Sequence, residues 1–138
     1  MAPNNGPSLA NATHRRFLIT AALFLSACGG GDDERIVCTT ELVPAIRIEV
    51  LDNATGAPAS CGARALITAT GYSETVENPD APSCMNTLPL SGAFERPDTY
   101  HVTVSKPGYR NATFGPLSVV ANVCHVVTVP LTASLVPL

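Results

Sequence analysis

Three stretches of this chain alternate apolar and polar residues with a period of two, and turn-forming residues close them. Ala45 to Asp52 reads AIRIEVLD, Gly62 to Thr70 reads GARALITAT, and Thr99 to Ser105 reads TYHVTVS. That period places Ile46, Ile48 and Val50 on one side of the backbone and Arg47 and Glu49 on the other, as in a strand with one buried face. Ala65, Ile67 and Ala69 repeat the arrangement, as do Tyr100, Val102 and Val104. Asn53 to Pro58 (NATGAP) and Lys106-Pro107-Gly108 are dense in residues that preset or permit turns. The chain is therefore expected to be all-β.

Weaker signals supply the remaining strands. Gly71-Tyr72 turns the chain into a polar edge strand at Ser73 to Glu77, Asn78 to Ser83 reads as a loop, and Met85 to Phe94 holds a short strand near Leu88 and Leu90. Asn111 to Phe114 and Leu117 to Val120 form a further strand interrupted at Gly115-Pro116. Cys124 to Leu135 forms the last one, with Val127, Val129 and Leu131 facing inward. Pro130 has no amide hydrogen to give a ladder, so that strand is bulged or lies at an edge. Seven short strands with frequent turns predict a seven-stranded antiparallel or mixed β-sandwich. A low charged fraction of 14%, no Trp and an abundance of Val, Thr, Ala, Pro and Gly agree with it.

Ahead of the first strand the chain changes character. His14-Arg15-Arg16 precedes an eleven-residue apolar run, Phe17 to Ala27. A spanning helix needs about twenty apolar residues, so this run fits the hydrophobic core of an export signal. The arginine pair also loosely resembles a twin-arginine signal. Leu25-Ser26-Ala27-Cys28 resembles the lipobox of a bacterial lipoprotein signal peptide: a peptidase that cuts before the cysteine requires small residues at 26 and 27 and an apolar one at 25. The resemblance implies loss of Met1 to Ala27, acylation of Cys28 by palmitate-like chains, and attachment to a membrane through that residue. Two acyl chains suffice for stable anchoring. Gly29 to Glu34 (GGGDDE) reads as a tether. The expected organisation is a signal peptide over 1–27, a lipidated N-terminus and tether over 28–44, and a domain over 45–138. Gly29 directly after Cys28 resembles the pattern for transfer to an outer membrane, on its periplasmic face or the cell surface.

From Cys28 onward six basic residues face eleven acidic ones. No basic stripe for phosphate backbones is available, which argues against a nucleic-acid partner. The same balance disfavours adsorption onto anionic lipid by the domain itself.

Two blocks carry a family resemblance. Val50 to Ala63 contains V-x-D-x-x-T-G-x-P and ends in Gly62-Ala63, and Gly92 to Tyr109 reads GAFERPDTYHVTVSKPGY. Together with Cys124-His125-Val126 they resemble carboxypeptidase regulatory-like domains, which implies a transthyretin-like (prealbumin-like, Ig-like) sandwich and a single-domain bacterial lipoprotein. Asp98 stands where that family usually has glycine. The 5-hydroxyisourate hydrolases share the fold but end in Tyr-Arg-Gly-Ser, whereas this chain ends Ser134-Leu135-Val136-Pro137-Leu138.

Cys38, Cys61, Cys84 and Cys124 remain, an even number in an exported domain, and disulfides are their natural use. Three connectivities are open. In sandwiches of the type resembled here the first and last strands can run side by side, which favours Cys38 with Cys124 and Cys61 with Cys84. The longer loop, about 85 residues, is worth roughly 4 to 5 kcal/mol in the chain-entropy treatment.

Catalytic chemistry is sparsely represented. His101 with Glu95, Arg96 and Asp98 forms the only dense polar cluster in the domain, and it reads as a solvated strand face beside a turn in preference to an acid–base site. His125 reads as packed or capping. Neither Ser60 nor Ser91 lies in a nucleophile elbow, and no C-x-x-C pair marks a metal site, so no cofactor or metal is expected. Asn11, Asn53 and Asn111 each open an N-A-T triplet, and in a bacterial chain those at Asn53 and Asn111 read as turn chemistry. The expectation is a noncatalytic, lipid-anchored cell-envelope protein whose sandwich is an interaction or structural module for an envelope protein or polymer. The alternative is a small-ligand or carbohydrate-binding module, for which five Phe and Tyr after position 28 offer few stacking platforms. Alkylation of the unreduced mature protein followed by intact-mass measurement should label Cys28 alone if it is unacylated and none of the other four cysteines. Four labelled thiols in the domain would overturn the disulfide reading.

Overall fold

The computed structural model describes residues 36–138; the export signal, Cys28 and the Gly29 to Glu34 tether lie outside the described residues. Seven strands follow in order: β1 (Ile46–Asp52), β2 (Arg64–Ala69), β3 (Tyr72–Glu77), β4 (Leu90–Gly92), β5 (Thr99–Ser105), β6 (Ala112–Ser118) and β7 (Val129–Leu135), with no helix among the described residues. They form a three-stranded sheet, β4-β1-β7, and a four-stranded sheet, β3-β2-β5-β6. β1 pairs with β7 in parallel from Ile46 opposite Val129 to Asp52 opposite Leu135, and every other pairing is antiparallel.

Alternation decides which face is buried. Ile46, Ile48 and Val50 of β1, Ala65 and Ile67 of β2, Tyr100, Val102 and Val104 of β5, and Ala133 and Leu135 of β7 all join one core shared by the two sheets. The β3 and β6 edges of the larger sheet keep a half-buried face toward this core and a solvated one outside. Tyr100 is the largest fully buried side chain, and its hydroxyl donates to the Arg96 carbonyl at 2.8 Å. Tyr72 meets its ring edge-on with 6.1 Å between centroids, under the Arg96 guanidinium. Burial and a hydrogen bond to Glu74 push the Tyr72 phenol up to about 12.

Three expectations are corrected. The strand anticipated in two pieces around Gly115-Pro116 is continuous as β6: Tyr100 pairs with Leu117 and Val102 with Phe114, so His101 alone faces two residues, and a bulge absorbs the extra one. Gly115 is required there, because a Cβ would lie 2.8 Å from both the Tyr100 carbonyl oxygen and His101 Nδ1. The last strand starts at Val129 and not at Cys124, and Val127 is exposed while Val126 is buried. The phase slips because Asn122 folds residues 120–127 into a closed turn and the Thr128 hydroxyl donates to the Pro44 carbonyl. Leu88 lies outside β4 and is exposed. Pro130 does sit on an edge strand, β7.

The segment after β3 is a loop, as its prolines suggest, and it is pinned to the domain. Asn78 and Ser60 are buried polar residues that satisfy one another: the Asn78 amide donates to Ser60 Oγ at 2.8 Å and to the Met85 carbonyl at 3.1 Å. The Cys61–Cys84 disulfide spans the same corner. With a 23-residue separation it contributes about 3 kcal/mol in the chain-entropy treatment.

At Gly92 the two sheets approach closely. A Cβ there would lie 2.7 Å from Ile67 Cδ1 and 2.9 Å from Glu74 Oε2. Gly92→Ala should therefore cost about 1–3 kcal/mol through overpacking, read as a lowered urea midpoint with an unchanged m-value. An unchanged midpoint would show that the two sheets can separate at this point without loss.

Candidate functional site

One end of the sandwich gathers the segment before β1, the β4–β5 connection (residues 93–98) and the β6–β7 connection (residues 119–128). Cys38 is bonded to Cys124 with 5.2 Å between Cα atoms, which draws residues 36–44 onto this end although they form no strand. The β6–β7 connection is folded by Asn122, whose carboxamide oxygen accepts from the Cys124 and His125 amides at 2.8 and 2.9 Å. Val127 then donates to the Val120 carbonyl at 2.8 Å, which closes the turn.

Because Thr39 follows Cys38 and His125 follows Cys124, the disulfide sets these two side chains beside each other. Glu95 completes a chain of three. His125 Nδ1 lies 2.7 Å from Glu95 Oε1, and Thr39 Oγ1 lies 3.0 Å from His125 Nε2. A carboxylate only accepts, so in the neutral ring the proton sits on Nδ1 and Nε2 accepts from the Thr39 hydroxyl. Glu95 also takes backbone amides from two segments, Val43 at 2.7 Å and Val126 at 3.3 Å, while its own amide donates to the Val43 carbonyl. The Val43 amide is the main cause that holds the Glu95 carboxyl below its ordinary value, with His125 next among the favourable contacts. Ala93 and Glu95 adopt φ of 54° and 51°, in the left-handed region that non-glycine residues rarely occupy. The connection accepts that strain in order to aim Glu95 at Val43, His125 and Val126.

A shallow groove of about 410 Å³ opens over these residues, with Leu42, Pro97, Ala121 and Val126 among its walls. Hydroxyl, imidazole and carboxylate stand in the order of an acid–base relay. The carboxylate also divides its oxygens between His125 and two backbone segments, and so ties residues 39–43 to residues 124–126.

The cluster anticipated around His101 is dispersed. Glu95 turns to His125, Arg96 lies over Tyr72, Asp98 accepts from the Thr99 amide, and His101 packs over the Gly115 bulge with an exposed ring. His125, read from sequence as packed or capping, is the histidine that meets a carboxylate. The adjacency of Thr39 and His125 was accessible from the cysteine spacing once the bond was assigned. Glu95 stands out in sequence beside His101, but its pairing with His125, 30 residues away, has no local signal. Ser60 is buried against Asn78, and Ser91 lies in β4 opposite Arg47. Asn53 accepts from the Ser134 hydroxyl beside an Asp52 turn, consistent with a turn role for the first domain N-A-T triplet.

The opposite end has its own fastening. Tyr109 donates to Asp52 Oδ2 at 2.7 Å, and this bond is the first cause of both a lowered Asp52 carboxyl and a raised Tyr109 phenol. No protein-family model matches the chain, and a search of characterised proteins finds no significant match.

A glutamate whose folded pKa is depressed stabilises above its unfolded value and releases that stability as pH falls through the folded value. The Glu95 fastening should accordingly be complete at neutral pH and lost in acid below 4.5, the ordinary glutamate value. Protection of the Val43 and Val126 amides, measured against their intrinsic exchange rates at each pH, should fall there, and in Glu95→Gln at pH 7, while β1 and β5 stay protected. Equal protection of Val43 across pH 3 to 7 would contradict the assignment.

Proposed function

We propose that this chain is a lipid-anchored protein of the bacterial cell envelope whose transthyretin-like sandwich acts as an interaction or structural module and not as a catalyst. The observation that carries the reading is the use of the cysteines. Cys38, Cys124, Cys61 and Cys84 are consumed in two mutual disulfides, as suits an oxidising compartment, and the odd fifth cysteine is Cys28 at the end of the lipobox-like run. Seven strands in two sheets agree with the fold that the sequence blocks resemble. Gly29 after Cys28, which resembles the pattern for transfer to an outer membrane, supports an outer-membrane position, with a protein or polymer of the envelope as the proposed partner.

The state of the tyrosines favours a protein-like contact over a sugar site. Tyr100 is buried, Tyr72 lies under Arg96 and Tyr109 sits beneath the Lys106 ammonium, so these three rings are engaged within the domain. Sugar-binding modules need free ring faces for stacking.

Replacing Cys28 by Ala and fractionating the cells tests the anchor. Wild-type protein should sediment with membranes and enter the detergent phase, and Cys28→Ala should be released as a folded, disulfide-bonded domain. A variant that still partitions with membranes would contradict the reading.

A further inference from the structure

Exposed apolar side chains are not spread evenly over the described residues. Of twelve large exposed hydrophobics, seven belong to the segments gathered at the Cys38–Cys124 end, among them Val37, Leu42, Phe94, Val120, Val123 and Val127. Val123 and Val37 are 75% and 86% exposed on either side of the disulfide. Val120 and Val127 are brought together by the hydrogen bond that closes the turn. Among the described residues nothing covers them, and the Glu95 fastening, the disulfide and the Asn122 turn tie these segments together.

We propose that this end of the sandwich rests on the lipid bilayer, inserting its valine-rich turn and Phe94 into the interfacial layer. The proposal rests on the anchored reading above, and the position of the chain entry is what selects lipid as the occupant. Cys38 sits at this end, and only nine residues lie between it and Cys28, so the two are at most about 35 Å apart along extended chain. An anchor at Cys28 would hold the apolar end next to the membrane at an effective concentration on the order of millimolar, so a contact too weak to bind from solution would be occupied. Glu41, Glu95 and Asp98 outnumber Arg96 on the same segments, and Arg96 is engaged with Tyr72. Attraction to anionic headgroups is therefore not the driving force. The contact is apolar, suits a zwitterionic surface and should not weaken in salt.

The chain contains no tryptophan, which makes a single reporter unambiguous. The protein starting at Cys28 would be coupled through that thiol to a maleimide-bearing phospholipid in phosphatidylcholine vesicles. Coupling makes the test independent of acylation in the cell, so a failed anchor and a failed docking give different results. With Val123→Trp, transfer to vesicles with brominated acyl chains should shift the emission to the blue and quench most of it, with no change on raising the salt. Leu138→Trp at the opposite end should stay unquenched. An unquenched reporter at position 123 in coupled protein would overturn the proposal, as would equal quenching at both positions. A blue shift that precedes coupling and grows with protein concentration would assign the surface to a second copy of the chain instead.

Discussion

The parallel pairing of β1 with β7 is the constraint on which the rest of the sandwich depends. Seven consecutive residue pairs join the first strand to the last, and parallel neighbours need a long crossover between them. Here the crossover consists of β2 to β6, which includes the whole of the second sheet. The core can close only when that pairing is made, because Ile46, Ile48 and Val50 face the other sheet from one strand and Ala133 and Leu135 from its neighbour. Such non-local closure is slow and entropically costly. The Cys38–Cys124 bond, just upstream of both strands, removes much of that cost from the unfolded chain.

Each end of the sandwich is then fastened by a carboxylate and a ring. Asp52 and Tyr109 join the end of β1 to the β5–β6 turn, and Glu95 and His125 join the two long connections and the entering segment at the other end. The sheet edges are also protected. β7 carries Pro130, β6 carries the Gly115-Pro116 bulge, β4 has only three residues, and β3 presents Glu74 and Glu77. These features oppose strand addition at the edges and leave the loop ends as the surfaces open to contact.

Much of this arrangement was readable from local pattern. β1 and β5 alternate polar and apolar residues, and burial follows that alternation up to the strand ends, while β2 keeps its buried face through Ala65 and Ile67 although Leu66 is apolar and exposed. Reading failed where a long-range contact overrode the local signal. Gly115-Pro116 resembles a break, but His101 opposite it lets β6 continue through a bulge. Val126 and Val127 are chemically equivalent, so only the Asn122 turn and the Thr128 bond to Pro44 decide which one is buried. Asn78 opens a Pro-containing stretch, yet its burial depends on Ser60 and Met85 across the corner. The Glu95–His125 pair was invisible for the same reason: its geometry comes from a disulfide and a strained connection, neither of which has a periodicity.

If the fastened, apolar end is the one that faces the membrane, the sandwich should have a fixed orientation above it. Neutron reflectometry of the lipid-coupled protein on a supported phosphatidylcholine bilayer reads that orientation directly. The expected profile has protein density beginning within the headgroup layer, with no solvent layer between. A solvent-filled layer separating the sandwich from the headgroups would show a freely tethered domain and contradict it.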